Sequence, residues 1–429
     1  VRDFTEEGSI NAVTAKLDYL ETLGINAIEL MPIQEFDGND SWGYNPCFYF
    51  ATDKAYGTDE AYKTFIDECH KRGIAVIVDV VFNHATGQFP YAKMWWDAGA
   101  NKTASNNPFF NVDAPHNWSV FHDFNHTYVE TVNYIDDVLE YWLEEYNIDG
   151  FRFDLTKGFV QNPGNYDAGG YSAQRIGILK HYAETIREVD EDAYIIFEHF
   201  CDQSEENELY NSVGALCWNN NQRNGYKQSV LGFNSSNFSD FKKGRVNNIE
   251  THDEERIAYD AVKYGQSWVK NDWAVISKRL QAVYAFHFLT PYPKMMWQFG
   301  ELGYDVSIEE NGRTGRKPVR WNYYDDVNRK ALYDAVSKVI SWRTENEEYY
   351  GQDEVKVHTW SVGDGQMGGK VLVMDRVIVV ANFNNAQSTT SVNVPSAGEW
   401  TNLMTGEKVQ LNATHSFTLA GSDYVVLVK

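Results

Sequence analysis

A chain of 429 residues is too long for one small hydrophobic core and suits one large domain with one or two smaller ones. The hydrophobic share of 43% and the charged share of 23% are typical of a globular protein, and no apolar stretch is long enough to span a bilayer. Acidic residues (61) outnumber basic ones (37), and a net charge of −24 repels phosphate backbones, so nucleic acid is excluded as an expected partner.

The N-terminal part of the chain alternates strand-like and helix-like segments. VRDF (1–4) and INAIELMP (25–32) predict strands, and DEAYKTFIDECHKRG (59–73) predicts a helix. The run IAVIVDVVFNH (74–84) is too apolar for a one-sided sheet and is typical of a strand buried on both faces. Residues 85–124 then break the alternation with many Asn, Gly and Pro residues, which indicates a functional loop or a small subdomain.

The alternation resumes after this excursion. Helices are predicted over 127–147, 172–188, 267–289 and 326–344. Strands are predicted over 148–154, 193–200, 215–218, 245–253 and 294–299. Together with the earlier segments these make eight strand candidates that alternate with helices, which is the number that closes a (β/α)₈ barrel.

We therefore predict an α/β fold with three parts. Residues 1–84 and 125–350 form a (β/α)₈ TIM barrel, and residues 85–124 form a small loop-rich domain inserted after the third strand. From residue 353 short strands separated by turns predict a C-terminal all-β sandwich domain over 353–429. The four cysteines are scattered without metal-ligand spacing, so free buried thiols are expected.

Four of the predicted strands lead into a carboxylate: Asp79, Asp154, Glu198 and Asp253. Chemistry in a (β/α)₈ barrel takes place at the C-terminal ends of the strands. A single acid at such a position is more often a turn residue or a helix cap. Four acids that converge on one face favour a functional site, because crowded like charges cost stability.

The strand over 148–154 carries further detail. Side chains alternate along a strand, so Arg152 and Asp154 share one face while Phe151 and Phe153 share the other. An arginine beside an aspartate favours the ionised carboxylate, which a nucleophile at a sugar's anomeric carbon must be. A plain structural salt bridge between Arg152 and Asp154 is the alternative that this pair alone leaves open.

Glu198 follows the apolar run IIF, and apolar surroundings raise the pKa of a carboxyl group. A raised pKa suits a general acid that holds a proton near neutral pH and later acts as a base. His84 and His252 lie beside the predicted acids, and we expect them to bind sugar hydroxyls. Metal binding by these histidines is disfavoured, because no third histidine stands at ligand spacing.

At these residues the chain resembles the α-amylase family of glycoside hydrolases. The resemblance rests on four strings in the family's order, each at a predicted strand end: DVVFNH (79–84), GFRFDLTKG (150–158), FEH (197–199) and ETHD (250–253). Each string alone is weak, and the set of four is specific. The excursion at 85–124 and the C-terminal β region also resemble the family's inserted domain and terminal sandwich.

The resemblance implies catalytic roles for three acids. Asp154 would be the nucleophile, Glu198 the general acid/base, and Asp253 would hold the 2- and 3-hydroxyls of the sugar. Asp79 would organise the site as a structural residue. The residues implied to bind substrate are Tyr44 (as a stacking ring), His84, Arg152 (which orients the nucleophile), Lys157 (on the leaving-group side) and His252.

The resemblance also implies a structural Ca²⁺ ion, with Asn83 as a side-chain ligand, and oxygen ligands suit calcium. Two positions depart from the family's pattern. Gly158 stands where a histidine often offers its backbone carbonyl to the ion, and the other ligands within 85–125 are not identified. Thr251 stands where asparagine is frequent, which we expect to affect specificity rather than the reaction. No cofactor is required for the chemistry itself.

The leading hypothesis is a retaining, endo-acting hydrolase of α-1,4-glucosidic bonds in starch-like or glycogen-like glucans. It predicts that the carboxyl groups of Asp154 and Glu198 lie about 5–5.5 Å apart. The same acids would serve an α-1,6-debranching enzyme or a transglycosidase, and the motifs do not separate these activities. A non-catalytic glucan-binding protein is the alternative of another class, and the presence of all three acids disfavours it.

The expected partner is an α-glucan polysaccharide or oligosaccharide, and we expect a monomer without a membrane span. A polymeric substrate that does not cross membranes favours an extracytoplasmic location, which means secreted, periplasmic or cell-surface. The chain opens on Val1 without a methionine, within a strand-like run, which predicts that the sequence is part of a longer chain.

Overall fold

A computed structural model describes residues 1–233, 237–239, 241–351, 355–363, 365 and 367–429, and it confirms the predicted barrel architecture. Its main sheet has seven parallel strands, in which each strand pairs with the next one along the chain. In sheet order they are Ala27–Leu30, Ala75–Val80, Gly150–Phe153, Tyr194–Phe197, Leu216–Asn219, Arg245–Asn248 and Lys294–Met295.

Helices connect and cover these strands. The longer ones are Asp59–His70, Val129–Tyr146, Ala173–Val189, Gln203–Val213, Arg223–Leu231, Ile257–Tyr264, Trp273–Leu289 and Val327–Glu345. The helix predicted over 267–289 begins later, at Trp273, because the Asp272 carboxylate accepts hydrogen bonds from the backbone of Ala274 and Val275 and caps it there. Short helices lie at Ile10–Thr14, Leu17–Leu23, Pro90–Met94 and Glu347–Tyr350.

The predicted strand at VRDF is wrong, since residues 1–4 form a turn. Its backbone carbonyls are bound by side chains instead of a neighbouring strand: Trp321 Nε1 donates to the Phe4 carbonyl at 3.0 Å, and Gln298 Nε2 donates to the Asp3 carbonyl at 3.3 Å. The Phe4 ring stacks on Phe299 with ring centroids 5.5 Å apart. In the described part of the chain the sheet therefore has seven strands rather than the predicted eight.

Two predicted strands are shorter than expected. The strand predicted over 294–299 ends at Met295, and Phe299 has a left-handed φ of 65° that turns the chain away from the sheet. The strand predicted over 245–253 ends at Asn248, so Asp253 lies on the loop that follows. Among the described residues, no helix is both long enough and apolar enough to cross a membrane.

The segment predicted as an inserted domain contains two short hairpins, His84–Ala85 with His122–Asp123 and Trp96–Asp97 with Lys102–Thr103. A cluster of rings packs inside it, with Phe110 stacked on Phe124 at 4.3 Å between centroids. A further hairpin, Gln34–Phe36 with Pro46–Thr52, follows the first strand. The boundaries 85 and 124 remain predictions.

The C-terminal part is a β-sandwich. Its larger sheet has six antiparallel strands, Val357–Ser361, Lys370–Met374, Val377–Ala381, Tyr424–Val428, Gly398–Asn402 and Lys408–Leu411, in that order. The smaller sheet pairs Ser388–Asn393 with Thr414–Leu419, and both sheets contribute to one apolar core around Trp400. Arg279 joins the sandwich to the barrel, because its Nη1 donates to the Phe383 carbonyl at 2.9 Å. The predicted boundary at residue 353 lies outside the described residues.

Candidate active site

The candidate site is built around Arg152, which is fully buried at the end of the strand Gly150–Phe153. Its Nη1 donates to both carboxylate oxygens of Asp79, at 2.9 and 2.8 Å, and to Asp154 Oδ1 at 3.0 Å. Its Nη2 lies 2.9 Å from Glu198 Oε2. The predicted shared face of Arg152 and Asp154 is therefore what the structure shows, and one cation holds three acids from neighbouring strands together.

Asp154 receives two hydrogen bonds besides its backbone contacts. Arg152 binds one carboxylate oxygen, and Asn83 Nδ2 donates to the other at 3.1 Å. Burial raises the pKa of Asp154 to about 6, and the Arg152 guanidinium acts against that rise. The carboxyl group is therefore mainly ionised at neutral pH, with both oxygens oriented by donors.

Glu198 lies next to Asp154 and is equally shielded. Burial raises the pKa of Glu198 to about 7, which Arg152 opposes and the negative charge of Asp154 favours. A hydrogen bond between the two carboxyl groups lowers the pKa of Asp154 and raises that of Glu198. The pair therefore holds one proton near neutral pH, and that proton resides mainly on Glu198.

Trp218 and Glu29 also lie at the site, and neither residue was predicted from the sequence. The Arg152 guanidinium lies over the Trp218 ring, 3.9 Å from its centroid. Loss of hydration raises the pKa of Glu29 to about 7, while the positive charge of Arg152 lowers it. A lone carboxylate inside the apolar strand AIEL was the available signal for Glu29, because alternate residues of a barrel strand face inward.

Tyr44 and His84 lie on one side of the carboxyl pair. The Tyr44 hydroxyl donates to Asp79 Oδ2 at 2.6 Å, and the Tyr44 backbone carbonyl is 2.8 Å from His84 Nε2. Burial lowers the pKa of His84 to about 4, so the ring is neutral at pH 7. Its Nδ1 is buried and has no hydrogen-bond partner within the described residues, which leaves this atom available for a ligand hydroxyl.

His252 and Asp253 lie beside Tyr44. The His252 ring stacks on Tyr44, with centroids 5.1 Å apart and planes 18° apart, and its Nε2 is 3.3 Å from Asp253 Oδ2. The Asp253 side chain is 46% exposed, and Arg313 Nη2 donates to its backbone carbonyl at 2.6 Å. Burial and the negative charge of Glu198 raise the pKa of Asp253, so the third acid shares the field of the first two.

Lys157 follows the nucleophile candidate by three positions. Its ammonium lies 4.2 Å from the centroid of the Trp118 ring and 3.4 Å from Asp167 Oδ2. A separate cleft lies beside Glu198 and Asp253. Its lining includes Glu198, Phe200, Trp218, Asn220, Asn248, Thr251, Asp253 and Glu254.

The predicted calcium ligand Asn83 has one free ligand atom. Its amide nitrogen is used by Asp154, whereas Oδ1 is buried and accepts no hydrogen bond from the described residues. Its backbone carbonyl pairs with the segment that carries Asp123, whose pKa burial raises to about 7. An uncommitted amide oxygen near a buried carboxylate fits a calcium ion, which prefers such oxygens.

One other group of potential metal ligands occurs in the described chain, His199, Cys201 and Glu205. Both oxygens of Glu205 already accept hydrogen bonds from the Arg175 guanidinium, at 2.6 and 2.8 Å, and a metal cation there would be repelled by that positive charge.

The described cysteines are all free thiols as expected, and Cys201 is only half-buried, whereas Cys47, Cys69 and Cys217 are buried.

Comparison with known proteins places this chain beside carbohydrate-active enzymes. The family model for the α-amylase catalytic domain matches residues 2–123. A malto-oligosyltrehalose trehalohydrolase from Saccharolobus solfataricus is 34% identical over 160 residues, which cover 37% of this chain and 27% of that enzyme. A 1,4-alpha-glucan branching enzyme from Rhodopseudomonas palustris is 23% identical over 440 residues, which cover 96% of this chain and 60% of that enzyme. The chain thus spans less than two thirds of the length of these curated relatives.

Among solved structures, the α-amylase of Geobacillus thermoleovorans in complex with acarbose is similar to this chain with a TM-score of 0.77. The two chains are 19% identical, and the match covers 99% of this chain and 93% of the other. At 19% sequence identity, this structural similarity shows the fold alone. The predicted resemblance is confirmed by the matching family model together with the four motifs at their strand ends.

Proposed function

We propose that this chain, whose residues 2–123 match the α-amylase catalytic-domain model, is an enzyme of the α-amylase family of glycoside hydrolases that hydrolyses α-1,4-glucosidic bonds within glucans, with retention of configuration. The contact of both Asp154 and Glu198 with one guanidinium carries this proposal: Asp154 Oδ1 is 3.0 Å from Arg152 Nη1, and Glu198 Oε2 is 2.9 Å from Arg152 Nη2. Retaining glycosidases need two close carboxyl groups, about 5–5.5 Å apart, whereas inverting ones leave room for a water at about 6.5–9.5 Å. Two carboxyl groups bound by the same guanidinium lie close together, which supports the retaining arrangement.

In the first step an oxygen of Asp154 forms a bond to the anomeric carbon while the glycosidic C–O bond breaks. Glu198 transfers its proton to the departing oxygen, so the leaving chain departs as a neutral alcohol. The pKa values of about 6 for Asp154 and about 7 for Glu198 assign the ionised and protonated roles in this order. Arg152 keeps the nucleophile ionised and oriented.

In the second step a water molecule replaces the leaving chain. Glu198, now a carboxylate, accepts a proton from this water, and the water oxygen forms a bond to the anomeric carbon as the bond to Asp154 breaks. The sugar leaves with its original anomeric configuration, and both carboxyl groups return to their starting protonation states. One water is consumed for each bond cleaved.

The surrounding polar atoms support binding of a neutral sugar ring. We assign sugar hydroxyls to the unpartnered His84 Nδ1, to His252 and to the exposed carboxylate of Asp253. One face of the Tyr44 ring is covered by His252, and we assign the opposite face to the sugar. We assign Lys157, which follows Asp154 by three positions and contacts Trp118, to the leaving-chain side.

A bound Ca²⁺ ion would be structural in this proposal. Asn83 Oδ1 and the carboxylate of Asp123 would hold it beside the candidate nucleophile, because Asn83 also donates to Asp154. The ion would fix the segments around residues 83 and 123 against each other. No bond-making step passes through it.

The test is product analysis with the purified protein on amylose, pullulan and a cyclodextrin, with the anomeric form of fresh products followed by NMR. We expect short maltooligosaccharides from amylose, released in the α-anomeric form. Products that first appear as the β-anomer would exclude the retaining mechanism. Absence of any product from all three substrates, despite measurable glucan binding, would support a non-catalytic glucan-binding protein instead.

A second candidate function is transfer of a glucan chain to another glucan. It is supported by the match to 1,4-alpha-glucan branching enzymes over 96% of this chain. A transglycosidase uses the same covalent intermediate with a sugar hydroxyl in place of water. New α-1,6 branch signals in the proton NMR spectrum of amylose, without a rise in reducing ends, would identify it. Cleavage of pullulan at its α-1,6 bonds would identify a debranching enzyme.

We further propose that the protein is a monomer that acts outside the cytoplasm on an α-glucan. The polymeric nature of the proposed substrate supports the location. Light scattering after gel filtration of the purified protein tests the monomer, and fractionation of source cells tests the location. A stable dimer, or a protein confined to the cytosolic fraction, would contradict the respective part.

A further inference from the structure

A buried relay of four side chains lies beneath the loop that follows the candidate nucleophile. Thr156 Oγ1 is 2.8 Å from His199 Nδ1, and His199 Nε2 is 2.9 Å from Glu205 Oε1. Glu205 in turn accepts two hydrogen bonds from Arg175. We propose that Thr156 is a positioning residue for Glu198, held by this relay, and that the relay aims the Leu155 N–H at the Glu198 carboxylate. The proposal rests on the proposed function, because it assigns work to the general acid/base.

The relay is anchored at Arg175 and Glu205, which are both fully buried. Arg175 Nε donates to Glu205 Oε1 at 2.6 Å, and Nη2 donates to Oε2 at 2.8 Å, which is the two-pronged geometry that fixes both side chains. Arg175 Nη1 also donates to the backbone carbonyls of Lys157, at 3.0 Å, and Ala168, at 2.8 Å. The pair therefore fixes the loop that carries Lys157 as well as the histidine.

One tautomer of His199 satisfies both of its contacts. Burial lowers the pKa of His199, so the ring is neutral near pH 7. Its Nε2–H then donates to the ionised Glu205, and Nδ1 accepts the hydroxyl proton of Thr156. The direction of donation runs from Thr156 through His199 to Glu205, and the Glu198 carbonyl, 3.1 Å from Thr156 Oγ1, is a second acceptor for the hydroxyl proton.

The relay reaches Glu198 through the backbone. The Thr156 N–H donates to the Glu198 carbonyl at 3.0 Å, and the Leu155 N–H donates to Glu198 Oε2 at 3.0 Å. Leu155 has a left-handed φ of 42°, a conformation that leucine adopts only where its neighbours impose it. Thr156 is that neighbour, because its amide and its hydroxyl are both engaged with residues 198 and 199.

The other charged groups around Glu198 leave a distinct role for this N–H. Arg152 lies 2.9 Å from the same Oε2, and Asp154 shares a hydrogen bond with the carboxyl group. Asp253 and Glu29 act on it through their charge. The Leu155 N–H is the backbone donor in this set, and it lowers the pKa of Glu198. Loss of this hydrogen bond would raise the pKa of Glu198 without removing any charged group from the site.

The test compares Thr156→Val, which keeps the shape and removes the hydroxyl, with Thr156→Ser, which keeps the hydroxyl. On amylose we expect kcat of Thr156→Val to fall by about tenfold, the equivalent of one lost hydrogen bond, while KM changes by less than about twofold. The alkaline limb of the kcat/KM profile should move to higher pH. Thr156→Ser should recover most of the activity and the position of that limb.

Glu208→Gln is the matched control. Glu208 lies on the same helix as Glu205, Gln203–Val213, but it is 39% exposed and binds Tyr171 and Lys180 on the surface. We expect this variant to keep the wild-type kcat, KM and pH profile. If Thr156→Val loses thermal stability or activity while its alkaline limb stays in place, Thr156 has only a structural role and the proposal is wrong.

A measurement without turnover separates this inference from the proposed function. In protein labelled with ¹³C at the glutamate carboxyl carbons, the Glu198 signal is assigned by its absence in Glu198→Gln and titrated with pH. Its pKa should be higher in Thr156→Val than in wild type and unchanged in Glu208→Gln. An equal pKa in Thr156→Val and wild type would overturn the relay whether or not glucan is cleaved. Absence of glucan cleavage by wild type, together with a shifted pKa, would refute the proposed function alone.

Discussion

Arg152 Nη1 lies 2.9 Å and 2.8 Å from the two carboxylate oxygens of Asp79, so one guanidinium nitrogen faces an entire carboxylate. Both side chains are buried, and the pair lies between adjacent parallel strands in which Asp79 and Arg152 are register partners. The same nitrogen donates to Asp154 Oδ1 at 3.0 Å, and Arg152 Nη2 lies 2.9 Å from Glu198 Oε2. The cation is therefore shared, and its removal exposes three buried acids to one another.

Arg152→Met tests this arrangement through stability. We expect a loss of about 3–5 kcal/mol in the free energy of unfolding at pH 7, because the buried carboxylates lose the one cation that contacts them within the described part of the chain. Without Arg152 the pKa values of these acids rise further above their unfolded values, so the loss should be small near pH 4 and grow as pH rises toward 7. Urea unfolding of both proteins at several pH values measures it.

The control for that experiment is Arg72→Met. Arg72 forms ion pairs with Asp18 and Glu68 at the surface, and exposed pairs contribute about 0–1 kcal/mol. The loss of unfolding free energy in Arg72→Met should be small at every pH. Equal losses of unfolding free energy in the two variants would contradict the role of Arg152 as the cation shared by the three buried acids.

Asp154→Asn tests the nucleophile. The amide cannot form the covalent intermediate, so we expect kcat on amylose to fall by at least about 10⁴-fold while glucan binding persists. Reducing-end release and calorimetric titration with a maltooligosaccharide measure the two properties. Asp137→Asn, an exposed substitution on the helix Val129–Tyr146, should retain full activity. Substantial turnover by Asp154→Asn would refute the assignment.

The pH profile of kcat/KM should be a bell with its maximum between about pH 6 and 7, the pKa values of Asp154 and Glu198 in the free protein. Activity rises as Asp154 loses its proton and falls as Glu198 loses its own. Glu198→Gln should lower the rate by about 10²–10⁴-fold and abolish the alkaline limb. Added azide should restore part of its turnover on substrates with a good leaving group. If the alkaline limb persists in Glu198→Gln, that limb reports the titration of another residue.

Removal of calcium tests the proposed structural site. We expect EDTA to lower the melting temperature by several degrees, and added Ca²⁺ but not Mg²⁺ to restore it, because a ligand that binds only the folded state stabilises it. Asn83→Ala should be insensitive to both additions. If EDTA leaves the melting temperature of the wild-type protein unchanged, the Asn83 Oδ1 atom, which has no hydrogen-bond partner among the described residues, holds no ion.

The strand ends were predictable because they depend on short-range pattern. Alternation along GFRFD was enough to place Arg152 and Asp154 on one face, and the apolar run before Glu198 was enough to predict its raised pKa. The predicted strand at VRDF was wrong for a related reason. Four residues satisfy a strand pattern whether or not a neighbouring strand is available, and here the side chains of Trp321 and Gln298 bind the backbone instead.

Contacts made by loop residues could not be predicted from the sequence pattern. Asn83 was selected as a calcium ligand, and its contact with Asp154 depends on how the loop after Ala75–Val80 turns. Tyr44 was expected to stack under a sugar, and the structure places His252 on one face of its ring. Such contacts join residues about 70 and 200 positions apart, and only the packing of the strands and their loops brings them within reach.

The sequence by itself determined most of the strand and helix order, the acids at the strand ends and the resemblance to the α-amylase family, because periodicity and motif spacing are local properties. The tertiary structure decided which of these acids share one cation, which of them holds the proton, and how Thr156 is tied to both Glu198 and His199. These depend on distances of about 3 Å between distant parts of the chain and on exclusion of water. Both arise only when the strands and their loops pack around the same buried space.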